Sequence, residues 1–110
     1  MTRRHLVADL WVRDVEPLRF EEPLRTALRS GIDKSGATIL GELFHQFEPH
    51  GISGCFLLAE SHVSYHSFVE EKLLSLDIYT CGSADVERIL DASRRVLNPV
   101  REQVRDVPRG

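Results

Sequence analysis

Residues 37–60 read ATILGELFHQFEPHGISGCFLLAE, and residues 73–81 read LLSLDIYTC. The first stretch holds two strand-like runs, 37–48 and 51–60, joined across Pro49-His50-Gly51. Proline and glycine close together mark a turn. The run from Cys55 to Ala59 is continuously apolar, which suits an interior strand and reads Cys55 as a core residue. In 73–81, Leu74, Leu76 and Ile78 alternate with Asp77, Tyr79 and Cys81. Successive strand side chains point to opposite faces, so one face of this strand is apolar and the other unusually polar. Strands that follow one another without intervening helices predict an antiparallel sheet.

Outward from this centre, residues 4–12 form another strand, with Asp9 interrupting Leu6, Val7, Ala8, Leu10, Trp11 and Val12. By itself an acid in such a run favours an edge position. Residues 21–35 predict a helix, with Glu21 and Glu22 at its positive end and Pro23 tolerated in its first turn. Leu24, Leu28 and Ile32 recur at helical spacing, and Gly36 suits the C-terminal cap. Residues 84–97 predict a second helix, with Ser83 as N-cap, an apolar stripe through Val86, Ile89, Leu90 and Leu97, and Asn98-Pro99 as its stop. The tail from Val100 alternates valine with charge, which suits an edge strand or a loose end. The order β-α-β-β-β-α predicts an α+β fold, a two-layer α/β sandwich. Its antiparallel sheet has four to five strands, with two helices on one face.

A chain of 110 residues is one domain by length, spanning 1–110. Its 42% hydrophobic and 28% charged content is that of an ordinary folded protein. Fourteen Lys and Arg face seventeen Asp and Glu, a net charge of −3. No basic excess exists to neutralise phosphates, which argues against nucleic acid as partner. The apolar stretches are too short for a membrane span, and the N-terminus meets Asp9 before an apolar region forms, unlike a secretory signal. Cys55 and Cys81 make no disulfide framework, so a reduced, cytoplasmic protein is expected.

The chemistry-bearing residues crowd into 47–82. A hydrophobic strand runs into Glu60-Ser61-His62, His66 follows, and the polar face of the next strand ends in Cys81. Serine, histidine and a thiol are the ingredients of nucleophilic and acid–base catalysis. Set against this, serine and histidine are common in loops, and a lone cysteine is usually a small buried hydrophobe. No Gly-x-Ser-x-Gly surrounds Ser61. His45, His50, His62 and His66 lack the paired spacing of a zinc site, so no metal is expected.

The full motif set resembles the prokaryotic S-adenosylmethionine decarboxylase proenzyme family, whose members are pyruvoyl-dependent. The matching residues are Phe47, Pro49, Gly51, Ser53 and Gly54, then Glu60-Ser61-His62, His66, and Asp77-Ile78-Tyr79-Thr80-Cys81-Gly82. Arg4-His5-Leu6-Val7-Ala8-Asp9 and Gly36–Leu40 look like the family's first two strands. The resemblance implies self-cleavage between Glu60 and Ser61 into chains 1–60 and 61–110. Ser61 becomes a covalent pyruvoyl cofactor that forms a Schiff base with the substrate amine. It implies that Ser53 and His66 assist processing and that Cys81 is the proton donor in decarboxylation. An ordinary thiol is mostly protonated at neutral pH, so it can act as an acid. No diffusible cofactor is implied, and family members are homodimers of processed protomers.

The substrate is less plainly written. Where the family typically has T-W-P-E-Y-G-Y-A-A-V-D after the histidine, this chain has Ser67-Phe68-Val69-Glu70-Glu71-Lys72-Leu73-Leu74-Ser75-Leu76-Asp77. Phe47 and Phe68 keep aromatic faces for an adenosyl group, and Glu70 keeps the acid for its ribose hydroxyls. S-adenosylmethionine is therefore the favoured substrate. The alternative is L-ornithine or L-arginine, whose distal cation Glu71 would pair with. A second alternative, a non-catalytic partner subunit, sits poorly with an intact Ser61, His66 and Cys81.

Overall fold

The computed structural model describes residues 2–110. Its strands are β1 (Arg3–Trp11), β2 (Ile39–Gln46), β3 (Ile52–Leu58), β4 (Ser61–Phe68), β5 (Leu73–Cys81) and β6 (Arg101–Asp106). They form one sheet in the order β2-β3-β4-β5-β1-β6, with every neighbouring pair antiparallel. Helices α2 (Leu24–Ser35) and α3 (Val86–Leu97) pack together against one face, and a short α1 (Glu16–Arg19) precedes them. The α+β sandwich is as expected.

Strand alternation places the core. Leu6, Ala8 and Leu10 of β1, Phe56 and Leu58 of β3, Val63 and Tyr65 of β4, and Leu74, Leu76 and Ile78 of β5 all point toward the helices. They meet Leu24, Leu28 and Ile32 of α2 and Ile89, Leu90 and Leu97 of α3. Each such side chain contributes about 1.5–3 kcal/mol when fully buried. Gly31 costs α2 helical propensity, and its place explains why: an added Cβ would sit 2.7 Å from Ala92 Cβ. The small residue lets α2 and α3 approach closely.

Gly54 in β3 serves a similar purpose. A Cβ there would lie 2.6 Å from both Phe44 Cδ1 and Tyr65 Cζ. Tyr65 is fully buried, and burial holds its phenol well above the ordinary value. The fully buried Tyr65 ring has little room to retreat, so Gly54→Ala is expected to destabilise the fold by about 1–3 kcal/mol. A lowered urea midpoint with an unchanged slope checks this.

Several expectations change. The sheet has six strands instead of four to five. The added one, β4, reads Ser-His-Val-Ser-Tyr-His-Ser-Phe, a strand that turns His62, Ser64 and His66 to the open face and Ser61, Val63 and Tyr65 inward. The alternating tail forms β6 on the β1 edge. Asp9 is consequently not at an edge: β1 lies between β5 and β6, and Asp9 accepts a hydrogen bond from Ser75 Oγ. Cys55 is exposed, not core, because in β3 the inward places go to Ile52, Gly54, Phe56 and Leu58. Helix α2 starts at Leu24, and the cap of α3 is Asp85, which accepts from the Glu87 amide, not Ser83.

Candidate active site

The face of the sheet opposite the helices carries the polar residues. Ser53 and His66 stand directly across from each other on β3 and β4. Their Oγ and Nδ1 atoms lie 2.7 Å apart, in hydrogen-bond contact. Both line a depression of about 430 Å³ with Phe47, Phe68, Glu70 and Glu71. This volume falls in the range of small-molecule sites. The four residues read from sequence as substrate-binding are therefore brought together beside the pair read as assisting processing. Phe47 comes from the turn before β3 and Phe68 from the end of β4, while Glu70 and Glu71 lie on the 3₁₀ turn that follows.

His50, expected in the turn between β2 and β3 and not as a substrate-binding residue, also lines this depression. Its Nε2 is 2.9 Å from Glu70 Oε1. That hydrogen bond holds the Glu70 carboxyl below its ordinary value, so it stays charged. His66 also borders a second depression of about 420 Å³, lined by Asp9, Ser64, Asp77 and Arg105.

Glu60, Ser61 and Cys81 lie at the other end of β4. Ala59 and Glu60 form a two-residue turn between β3 and β4, with Leu58 paired to Ser61. Glu60 has φ 61°, a left-handed conformation that costs a non-glycine residue about 1 kcal/mol or more. Ser61 is buried on the helix side. Cys81 ends β5, half-buried, on the opposite face.

Next to Cys81, His62 and His5 flank Tyr79 from the neighbouring strands. The rings of His5 and His62 lie 5.3 and 5.7 Å from that of Tyr79. Arg109 stacks its guanidinium 4.8 Å from the Tyr79 ring and donates Nη1–H to His5 Nδ1 at 3.0 Å. A guanidinium has no acceptor, so His5 carries its proton on Nε2 and donates it to Asp77 Oδ1, 2.5 Å away. Sequence reasoning missed Arg109, since nothing in a charged tail says which strand end it will fold over.

The chain thus holds its candidate residues in two places. Ser61 and His66 are five residues apart on an extended strand, about 16 Å by the rise of about 3.3 Å per residue. An odd spacing also sends them to opposite faces. Within one chain, Ser53 and His66 do not reach Ser61 or Cys81.

Comparison with known proteins adds the family. A family model described as S-adenosylmethionine decarboxylase matches residues 4–110. The chain belongs to this family. Among relatives of the S-adenosylmethionine decarboxylase family, a proenzyme of that name from Archaeoglobus fulgidus is 43% identical over 100 residues, covering 91% of this chain and 88% of that one. One from Anoxybacillus flavithermus is 36% identical over 107 residues, covering 97% and 86%. A crystal structure of the adenosylmethionine decarboxylase from Aquifex aeolicus superposes with a TM-score of 0.88 at 33% identity, over 98% of this chain and 90% of that one.

Proposed function

We propose that this protein is a self-processing, pyruvoyl-dependent decarboxylase that acts on S-adenosylmethionine. The observation that carries the reading is the single depression joining Phe47, Phe68 and Glu70 to the Ser53–His66 pair. Two aromatic faces suit a flat base and a sulfonium, and a charged carboxylate suits vicinal hydroxyls. The names of the relatives agree with it.

Processing cuts between Glu60 and Ser61 and yields chains 1–60 and 61–110. The residues fit a group formed there, since the bond lies in a tight turn with Glu60 in its left-handed conformation and a serine hydroxyl beside it. Cleavage releases that conformation. Once formed from Ser61, the pyruvoyl group supplies the electron sink for loss of carbon dioxide. Cys81 Sγ delivers the proton to carbon from the open face, flanked on β5 by Tyr79 and Asp77. This role needs a reduced thiol, which favours the cytoplasm.

The separation of Ser61 and Cys81 from Ser53 and His66 calls for a homodimer in which each site draws on both copies. The open sheet face carries exposed Leu43, Cys55 and Leu57, which a second copy covers. Coexpression of two variants tests this. Alone, His66→Ala is expected to stay largely uncut. Coexpressed with Ser61→Ala, it regains cleavage, because one mixed site has both an intact Ser61 and an intact His66. An uncut His66→Ala chain in the mixture would remove the shared site.

Intact-mass spectrometry tests the function itself. The protein is incubated separately with S-adenosylmethionine, ornithine and arginine, then reduced with cyanoborohydride. Two chains split after residue 60, with the smaller carrying an adduct only from S-adenosylmethionine, is the expected result. An adduct only from ornithine or arginine would transfer the activity to a basic amino acid held by Glu71. One uncut chain without adduct would make it a partner subunit.

A further inference from the structure

The turn that carries His50, residues 47–51, is pinned to the rest of the fold. The Phe47 N–H donates to the Gly51 carbonyl and the Gly51 N–H to the Arg19 carbonyl, each at 2.8 Å. Gln46 Nε2–H donates to the same two carbonyls, at 3.1 and 2.9 Å. Just beyond the turn, Ser67 Oγ accepts the Ile52 N–H at 2.9 Å and donates to the Leu18 carbonyl at 2.8 Å. His50 therefore rises from a fixed base, and only 24% of its side chain meets water.

Glu70 is its opposite. It sits on the 3₁₀ turn Val69–Glu71 with 82% of its side chain exposed. Among the described residues no lysine or arginine forms an ion pair with it, and His50, at 2.9 Å, holds it alone. The carboxylate is charged and can only accept, so His50 Nε2–H is the donor. An exposed pair of this kind adds little to stability. What it fixes is a direction. Unaided, an exposed glutamate turns through its rotamers, and a ligand that needs it must freeze it on binding. The bond to His50 does that freezing in advance, at the wall of the depression shared with Phe47 and Phe68. His50 occupies Oε1 and leaves Oε2 free to accept.

We propose that His50 is a positioning residue that presets Glu70 for the hydroxyls of the substrate's sugar, and so sets the preference for a ribose-bearing substrate. It acts through Glu70 and takes no part in the bond changes. The inference rests on the S-adenosylmethionine reading above and adds to it the residue through which the sugar is read.

Steady-state decarboxylation by the processed enzyme tests it, with S-adenosylmethionine and its 2′,3′-dideoxy analogue as substrates. The wild type is expected to favour the ribose form in KM. In His50→Ala the KM for S-adenosylmethionine is expected to rise about three- to tenfold with kcat nearly unchanged, the cost of freezing one flexible side chain. The KM for the dideoxy analogue should stay within about twofold, because its sugar offers Glu70 nothing to hold. His50→Gln places an amide N–H at a similar reach and is expected to restore the wild-type KM. An unchanged KM in His50→Ala would overturn the proposal. So would an equal rise for both substrates, which marks a merely structural loss, or a His50→Gln as poor as His50→Ala. A wild type that does not distinguish the two sugars would overturn it as well. Should His50→Ala fail to fold or to cut, His50→Phe keeps a ring, removes the donor and is read by the same pair of substrates. An enzyme that decarboxylates ornithine or arginine and leaves S-adenosylmethionine untouched would instead sink the substrate reading, and this inference with it.

Discussion

Ser61→Ala is expected to leave one uncut chain of 110 residues with no decarboxylase activity. The variant loses the only atom that can attack the Glu60 carbonyl from within the scissile pair. No hydroxyl means no ester, and no ester means no new N-terminus at residue 61. Without that terminus there is no ketone to hold a substrate amine or accept its electrons. Alanine fills nearly the same buried space at the start of β4, so the fold should persist. Circular dichroism like that of the wild type, a single mass and no released carbon dioxide would together be the signature. Any cleavage at this bond in Ser61→Ala would remove Ser61 from its role.

Cys81→Ala separates the two reactions. It is expected to cut at a normal rate, because the attacking hydroxyl is that of Ser61 and the thiol takes no part in the shift of the Glu60 acyl group. Decarboxylation should then fall by about 10²- to 10⁴-fold, the usual worth of a positioned proton donor. Carbon dioxide release per cut chain is the measurement. A small loss would point to another donor in reach, and Tyr79 on the same face is the first to try. Cys81→Ser should lie nearer to alanine than to wild type, since a hydroxyl gives up its proton far less readily than a thiol.

Most of the sheet is legible in the chain. The alternation in 73–81 places Leu74, Leu76 and Ile78 inward as expected, and the Leu24–Leu28–Ile32 spacing marks the buried face of α2. Strand β4 is harder to see for a physical reason. Its outward residues, His62, Ser64 and His66, are all polar, and they leave only Val63 and Tyr65 to signal a core. With so few apolar residues, the pattern that would announce the strand is faint. Cys55 misleads in the opposite way: its apolar neighbours suggest burial, yet period-2 geometry turns it outward onto the open face.

The local grouping of the site follows partly from spacing. Ser53 and His66 meet because the β3–β4 hairpin is short, and a register of opposed pairs does the rest. The division of the site does not follow from a motif. Five positions from Ser61 to His66 look like proximity in a line of text. On an extended strand they are a distance and a change of face. Contributions from the tail, such as Arg109 over Tyr79, depend on a β6 pairing that sequence leaves open.

If the proposed cut after Glu60 is made, the sheet order also decides what becomes of the protein. Residues 1–60 supply β1, β2 and β3, and residues 61–110 supply β4, β5 and β6. In the order β2-β3-β4-β5-β1-β6 the two pieces interleave, meeting at β3/β4, β5/β1 and β1/β6, with α2 from one packed on α3 from the other. The pieces are threaded through a common sheet, so neither can leave without dismantling the core. Breaking the chain turns unfolding from a one-body event into a two-body one. Its midpoint then rises with protein concentration, and recovery after denaturation requires two strangers to find each other. The uncut chain can learn its fold; the mature enzyme mainly has to keep it.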